Sequence, residues 1–530
     1  MAKYIPYHDD ETHVISINFN AQLQRGSFEY ALNELIEHKL DLTGFDSLYK
    51  NDHEGRPAYA PAMLLKVILF AYSRGITSSR EIEWYCRHHV IFMALACGQV
   101  PHFTTIAAFM SGHPQKVADL FEQMLSLCHE QGLLGYELFA TDGCKLPSNA
   151  AKTWSGTHAE LSHKKEKIEK LVNYHVKKHQ ALDQLNTFEV EEAERIQQSI
   201  ETLEKAAKKI ADFLADNAPR MGQGKVPKEV KSNITDPDSA KMKTNKGTIQ
   251  GYNGVATVDK KHQIIVDAQA IGSGQEQQTL IPVIEAIEAR FKRLAINDDI
   301  FDTHSENSHD HRGVILTADT GFANEDNMKY LHKNNHNAYI PDHQFRSRDP
   351  KFNDQKKKHP RPTRAKSGKV IALFKPCDFQ FDPIKVTCIC PAGKSLTPKN
   401  PRIDHRGTSR IAFNGRVTVC RACPLKAQCM KKPEASNSMT GRGRQVSFAL
   451  TSKRQPTHTD WMKHRIDSDQ GRRIYSHRMW VVEPVFGNIT VHKRLNRFSL
   501  RGKNKVNTQW QLFCLIHNIE KMAHYGELAA

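Results

Sequence analysis

The sequence predicts a mixed α/β chain in which an α/β core follows an all-α N-terminal domain and is interrupted by a helical hairpin and a Cys-bearing insertion. Three observations carry that prediction. Between positions 25 and 135, apolar residues recur at helical spacing with short turns between the runs. Short β-type runs begin near Leu138 and resume at Gly251, His262 and Val314, alternating with helical patterns, which is how helices come to cover a sheet. A long charged stretch and a later basic, Cys-containing stretch break that alternation. The boundaries that follow are 25–135 for the helical domain and 136–157 with 230–345 for the first parts of the core. The hairpin insertion takes 158–220, the basic loop and Cys-bearing insertion 346–440, and the C-terminal helical part of the core 460–525.

In the helical domain, Pro61 suits the first turn of a helix whose apolar positions include Leu64, Leu65, Ile68 and Ala71. Ser78-Ser79-Arg80-Glu81 has the pattern of a capping box opening the next helix. A third start is expected at Phe103-Thr104-Thr105-Ile106, with a Thr as cap. Short helices joined this way resemble a helix-turn-helix array, with a plain bundle as the alternative. The next segment, around Leu138–Leu146, reads as a strand ending near Asp142. From Leu161 to Leu214 the chain has no glycine, and Ile196, Ile200, Leu203, Ala207, Ile210 and Leu214 alternate spacings of four and three, a coiled-coil seam. His175 and Lys178 fall on the seam of the earlier arm, which favours an antiparallel hairpin over a long dimeric coil. Gly251–Val258 and His262–Asp267 form the next strand pair, turning at Asp259-Lys260-Lys261, and a helix follows from Gln278 to Leu294. Val314–Asp319 reads as a short buried strand whose last residue is again an Asp.

Lys and Arg number 75 against 58 Asp and Glu, a net charge of +17, which favours a polyanionic partner. No apolar core of signal-peptide type follows Met1, and no run of about 18 apolar residues occurs, so the expectation is an intracellular protein without a membrane span. The 11 cysteines are an odd number, with Cys86, Cys97, Cys128 and Cys514 isolated in helical contexts, as reduced thiols would be. Residues 346–376 hold 11 Lys or Arg against two Asp, the composition of a solvated basic loop or of a segment that tracks a phosphate backbone. Trp154, Trp461 and Trp510 read as core aromatics, the 28 histidines show no His-Glu-x-x-His spacing, and no Gly-rich phosphate loop suggests ATP dependence.

The chemistry-bearing residues begin with Glu483, set inside the apolar run Met479–Asn488, where an ionised carboxylate costs several kcal/mol unless a cation or metal meets it. Asp142 and Asp319 both stand at expected strand ends, so three carboxylates distant in sequence can converge on one sheet edge and hold two divalent cations. Such a pair, about 3.5–4 Å apart, stabilises the attacking and leaving oxygens of an in-line phosphoryl transfer. Tyr475 and Arg478 precede Glu483, and Lys493, Arg494, Arg497, Arg501, Lys503 and Lys505 follow it without an intervening acid, a surface suited to phosphate.

Thr141-Asp142-Gly143, Ala318-Asp319-Thr320-Gly321-Phe322 and Tyr475-x-x-Arg478 with Val482-Glu483-Pro484-Val485-Phe486-Gly487-Asn488-Ile489 resemble the three catalytic blocks of bacterial insertion-sequence DDE transposases. The likeness extends to Arg56–Tyr59, Tyr72–Arg80, Thr235–Ser239 and Arg497–Val506, and so covers nearly the whole chain. It implies an RNase H-like catalytic core with an N-terminal domain that binds element ends. It also implies metal-dependent strand cleavage and transfer of the free 3′-hydroxyl to target DNA. Asp142, Asp319 and Glu483 would ligate two Mg²⁺ (or Mn²⁺) ions, and Tyr475 and Arg478 would touch DNA phosphate near the scissile bond. The partners implied are double-stranded DNA, as element ends and target, and a second copy in a synaptic homodimer, in a cytoplasmic, nucleoid-associated setting. Two departures stand out. Glu483 lies five positions after Arg478 where the family signature has four, a rotation of about 100° on a regular helix. Pro484 offers a repair, since a helix newly begun at Glu483 would free the carboxylate from the register of Arg478. Thr490 stands where the family has a Lys, a role that falls by position to Lys493. The alternatives are a DNA-binding protein that has lost catalysis and a metal-dependent nuclease without strand transfer.

The last constellation is sulfur. Cys420-Arg421-Ala422-Cys423 followed by Cys429, with Cys388-Ile389-Cys390-Pro391-Ala392-Gly393 upstream, forms paired knuckles suited to tetrahedral zinc. Cys390, Cys420, Cys423 and Cys429 are the favoured ligands, with Cys388 competing as the fourth and ordinary reduced thiols as the alternative. No His stands ready and no position is left open, so the ion would be structural.

Overall fold

The computed structural model describes residues 16–49, 57–183, 190–222, 226–245, 247–297, 299–302, 313–352, 373–403, 408–438, 441–452 and 456–527. Arg56 and most of the basic segment 346–376 lie outside these residues. The chain forms two compact units, one of Met1–His343 with Ser468–Ala530 and one of Gln344–Asp467.

The first unit is built on a sheet. Its strand Leu138–Pro147 pairs antiparallel with Gly247–Asp259, which pairs antiparallel with Ile265–Ile271. On its other side Leu138–Pro147 pairs in parallel with Ile315–Ala318, which pairs in parallel with Ala338–Tyr339. Ala240–Thr244 adds a further antiparallel edge along Gly247–Gly251. The Gly247–Asp259 strand is buried from Gln250 to Val258, as a strand flanked on both sides and covered on both faces must be.

Helix Lys503–Tyr525 supplies most of the cover, with Val506, Trp510, Phe513, Cys514, Ile516 and Ile519 all buried. It packs on the Ile265–Ile271 strand and against the N-terminal helices Phe28–His38, Pro61–Ser73, Phe103–Gly112 and Pro114–Glu130. Trp510 Nε1 donates to the Val255 carbonyl at 2.9 Å, and Phe513 stacks on Tyr72 with ring centroids 4.9 Å apart. An edge strand carries unpaired backbone groups, and two amides of this helix meet them. Asn518 accepts from Ile265 N at 2.8 Å and donates to its carbonyl at 2.9 Å, while Asn507 accepts from Ala270 N at 2.8 Å. The N-terminal helices therefore belong to the same unit as the sheet.

Local expectations fare unevenly. Pro61 opens its helix as expected. Ser78 is the N-cap of helix Ser79–His88 but its side chain makes no capping bond, so the expected capping box does not form. Helix Phe103–Gly112 is capped by the His102 ring, which accepts from Thr104 N, and not by a Thr. Helices His158–Asp183 and Val190–Asp216 pack together as a hairpin. Leu161, from the start of one, shares a core with Ile210 and Phe213, from the end of the other, which is the antiparallel sense.

The second unit is a small β structure in which strand Thr408–Asn414 pairs with Thr397–Pro398, Arg402–Ile403 and Gln445–Ser452. A hairpin of Gln380–Asp382 with Thr387–Ile389 joins its core through Phe379, Cys388, Ile411, Phe413 and Val446. Pairing of Gln445–Ser452 with Thr408–Asn414 carries this unit past position 440. Helix His458–Asp467 belongs to it as well, tied by Asp467 to Arg348 at 2.6 Å.

Candidate active site

Asp142 does not end its strand. It lies in the middle of Leu138–Pro147, opposite Ala256, because the run continues through Gly143 to Pro147. Gly143 is required there: a Cβ would come within 2.7 Å of the Asn253 side chain from the neighbouring strand. Asp319 directly follows Ile315–Ala318 and opens the turn Thr320–Phe322. Thr141 stands opposite Ala318 in the parallel register, so the two aspartates follow neighbouring residues of adjacent strands. The Asp319 turn is held from below by Asn327, whose amide donates to the Phe322 carbonyl at 2.7 Å and the Gln277 carbonyl at 2.8 Å. Gly321 leaves room for the Glu276 carboxylate, which pairs with Lys145 at 2.9 Å. Glu276 and Lys145 are neighbours of the site that the sequence did not single out, since neither carries a local pattern.

Helix Asp469–Gly487 crosses this edge, packing on the strands that carry both aspartates. Gly471, Arg478, Val481, Val482 and Val485 are its buried residues, and Arg478 reaches between the two carboxylates. Its Nη1 donates to Asp142 Oδ2 at 2.7 Å and its Nη2 lies 3.6 Å from Asp319 Oδ1. Tyr475 Oη donates to Asp319 Oδ1 at 3.2 Å. Burial pushes the Asp142 carboxyl above its ordinary range, against the lowering by the Arg478 guanidinium and the Gly143 amide and with a further push from Asp319. Burial likewise raises the Tyr475 phenol to about 12. Burial opposes the charge on Arg478 most strongly, but Asp142, Tyr475 and Asp319 together outweigh it and the group is held above its usual value. Tyr475 and Arg478, expected on DNA phosphate, here face the aspartates.

Glu483 stands elsewhere. It is exposed, not buried among apolar neighbours, and five positions beyond Arg478 place it about 140° round a regular helix from that residue. Pro484 does not start a new helix; Asp469–Gly487 runs through it unbroken and passes into a π-turn at Asn488–His492. A proline inside a helix leaves the carbonyl four residues back without its donor. Here that carbonyl belongs to Trp480, and Gln263 Nε2 donates to it at 3.1 Å. The chain thus keeps one helical register across Pro484, and Val482, four after Arg478, takes the buried position. Among the described residues, no group of three or more His, Cys, Asp or Glu able to hold a metal ion is assembled. Asp142 and Asp319 suit a hard divalent cation, with a guanidinium now supplying positive charge between them. The third acid is not with them.

The basic tail divides. Lys493 is buried and pairs with Glu520 at 2.5 Å, so it is a packed ion pair and not a free phosphate contact. Asn488 donates to the same carboxylate at 2.9 Å, and Thr490 bonds back to the Phe486 carbonyl at 2.7 Å. Arg497 donates to the Ser148 carbonyl and to Asn149 Oδ1, and Arg501 to the Asn149 carbonyl at 2.5 Å, which fixes the loop after the Asp142 strand. The Arg494 side chain packs against Gly75, and the Lys503 and Lys505 side chains are exposed. The Thr235–Ser239 block anchors the start of the last helix, because Asp236 accepts from Gly502 N and Tyr252 Oη, and Asp238 from Lys503 N.

In the second unit, Cys390, Cys420, Cys423 and Cys429 line one cavity of about 650 Å³. Cys388 does not; it is wholly buried in the hydrophobic core. Burial raises the Cys429 thiol, an effect that Arg444 opposes and the neighbouring Cys420, Cys390 and Cys423 reinforce.

Residues 389–523 match the family model of a transposase DDE domain, and residues 17–112 match that of a transposase domain, DUF772. No curated protein and no solved structure matches the chain.

Proposed function

We propose that this chain, which belongs to the insertion-sequence DDE transposases, binds the terminal inverted repeats of its element and catalyses metal-dependent DNA strand cleavage and strand transfer. The observation that carries this is the Asp142–Arg478–Asp319 cluster, in which a carboxylate on one strand and a carboxylate directly after its parallel neighbour meet across a guanidinium on the crossing helix. The strand order, three antiparallel strands joined through Leu138–Pro147 to two parallel ones, supports an RNase H-like core. Asp142 and Asp319 would hold Mg²⁺ or Mn²⁺, and the bound metal would supply Lewis-acid polarisation of the phosphate oxygens. Arg478 holds the carboxylates in place, and Tyr475 orients Asp319 through its hydroxyl. Lys503 and Lys505, exposed at the start of the last helix, are open to DNA phosphate, as are the exposed Arg494, Arg497 and Arg501, while Lys493 is not. The third-acid role and the two-ion arrangement proposed for Glu483 rest on its motif and not on its position. A homodimer spanning two element ends and a nucleoid-associated cytoplasmic location belong to the same reading. No described helix is long and apolar enough to cross a membrane.

The exposed position of Glu483 favours, as a second reading, a DNA-binding protein without catalysis. Incubation of the protein with a supercoiled plasmid carrying the gene's flanks, in Mg²⁺ or Mn²⁺, separates the two. Cuts at the flank ends and joined products, lost in Asp142→Asn and Asp319→Asn, are expected. Cuts without joined products would leave a nuclease, and bound but uncut DNA with either metal would leave the binding protein. Glu483→Gln then decides the third acid: undiminished cutting by that variant removes it from the site.

A further inference from the structure

The cavity in the Gln344–Asp467 unit is independent of the aspartate site, and its chemistry is that of sulfur. Cys390 begins a tight turn at the end of strand Thr387–Ile389: its N–H donates to the Lys394 carbonyl at 2.9 Å, and Gly393 N–H donates to the Cys390 carbonyl at 2.8 Å. Gly393 has φ +72°, the left-handed conformation this reversal needs. The turn brings Lys394 N–H to Cys390 Sγ at 3.4 Å, a donor aimed at the sulfur. The other three cysteines come from helices Val417–Arg421 and Lys426–Cys429 and the turn between them. Cys420 Sγ lies in a gap left by two glycines, since a Cβ on Gly415 would come within 2.6 Å of it and one on Gly443 within 3.1 Å. Arg416 and Arg444 line the same cavity and offset the negative charge that thiolates would bring.

We propose that Cys390, Cys420, Cys423 and Cys429 bind one zinc ion that ties the Cys390–Lys394 turn to the Val417–Cys429 segment. Four soft donors with no water position select a tetrahedral structural ion over a hard, catalytic one. The sulfurs stand on the cavity wall and are not yet a closed ligand set. The ion therefore draws the two segments together, to Zn–S distances of about 2.3 Å. The need for such a tie follows from size, because the hydrophobic cluster that holds the β strands of this unit together has just six buried residues among those described. Cys388 takes no part, since its thiol serves that core.

The test is the metal content of the untagged full chain, purified under reducing conditions and measured by plasma mass spectrometry. One zinc per chain is expected, falling to none in Cys423→Ser and Cys429→Ser and unchanged in Cys377→Ser, which replaces an exposed cysteine that does not line the cavity. Should the serine variants fail to fold, cobalt decides: Co²⁺ added to wild-type protein stripped of metal should give thiolate-to-cobalt charge-transfer absorption at one equivalent. Absence of that band, or zinc retained at full occupancy in both serine variants, overturns the assignment. Neither readout depends on DNA cleavage, so failure here leaves the aspartate site untouched, and failure of the transposition assay leaves the zinc site standing.

Discussion

Replacing Arg478 by Met tests the aspartate site most directly. The guanidinium is buried and is the cation between Asp142 and Asp319, so its loss leaves two facing carboxylates on adjacent strands. Removing one partner of a buried ion pair costs about 3–5 kcal/mol. Asp319 is 39% exposed and Asp142 24%, so water reaches both, and we expect roughly 2 kcal/mol at neutral pH. Unfolding entropy near 2.1 cal/mol/K per residue converts that into a fall in melting temperature of only about 2–3 °C for a unit of roughly 400 residues, so chemical denaturation is the better assay. The pH dependence carries the diagnosis. Asp142 is already raised by burial, and losing Arg478 raises it further. A carboxyl whose folded value exceeds its unfolded one takes up a proton on folding, so the fold loses stability as pH rises through that window. The deficit of Arg478→Met should therefore be small near pH 4.5 and open out towards pH 7.5, and Arg478→Met with Asp142→Asn should recover much of it. Mg²⁺ should also recover stability in the single variant if the carboxylates bind it. A deficit independent of pH, or full additivity of the two substitutions, would refute the claim that Arg478 acts as the cation of this pair.

Gln263→Ala strips the Trp480 carbonyl of the donor that replaces the one Pro484 lacks, and should cost about 1–2 kcal/mol in urea unfolding. In a Pro484→Ala background the same change should cost distinctly less; equal costs would show that Gln263 does not serve that carbonyl. Lys493→Met should lower stability through Glu520 while leaving the salt dependence of DNA binding unchanged. Lys503→Gln and Lys505→Gln should each reduce the salt slope by about one while leaving stability intact. An Lys493→Met effect confined to the salt slope would return that residue to the DNA surface.

What the sequence determined by itself was the periodic and the local. The helices after Pro61, the hairpin seam of Ile196, Ile200, Ala207 and Ile210, and the strand pair turning at Asp259-Lys260-Lys261 are all written in spacing that short-range geometry obeys. The two aspartates were legible because each ends or follows an apolar run beside a glycine, and the four cavity cysteines because knuckle spacing is local. Tertiary structure decided the rest. Asp142 sits mid-strand because its extended backbone continues along Gly247–Asp259, a pairing made across more than a hundred residues. Arg478 meets the carboxylates because the late helix lies across the sheet, which turns a presumed phosphate ligand into the counter-ion of the site. Lys493 reads as one more basic residue in a basic tail, yet the last helix brings Glu520 against it and takes it out of water. Glu483 shows the limit most clearly: local rules allow a helix to start at Pro484, but a glutamine from a distant hairpin supplies the missing donor, so the helix runs on and its register carries the carboxylate to the exposed face.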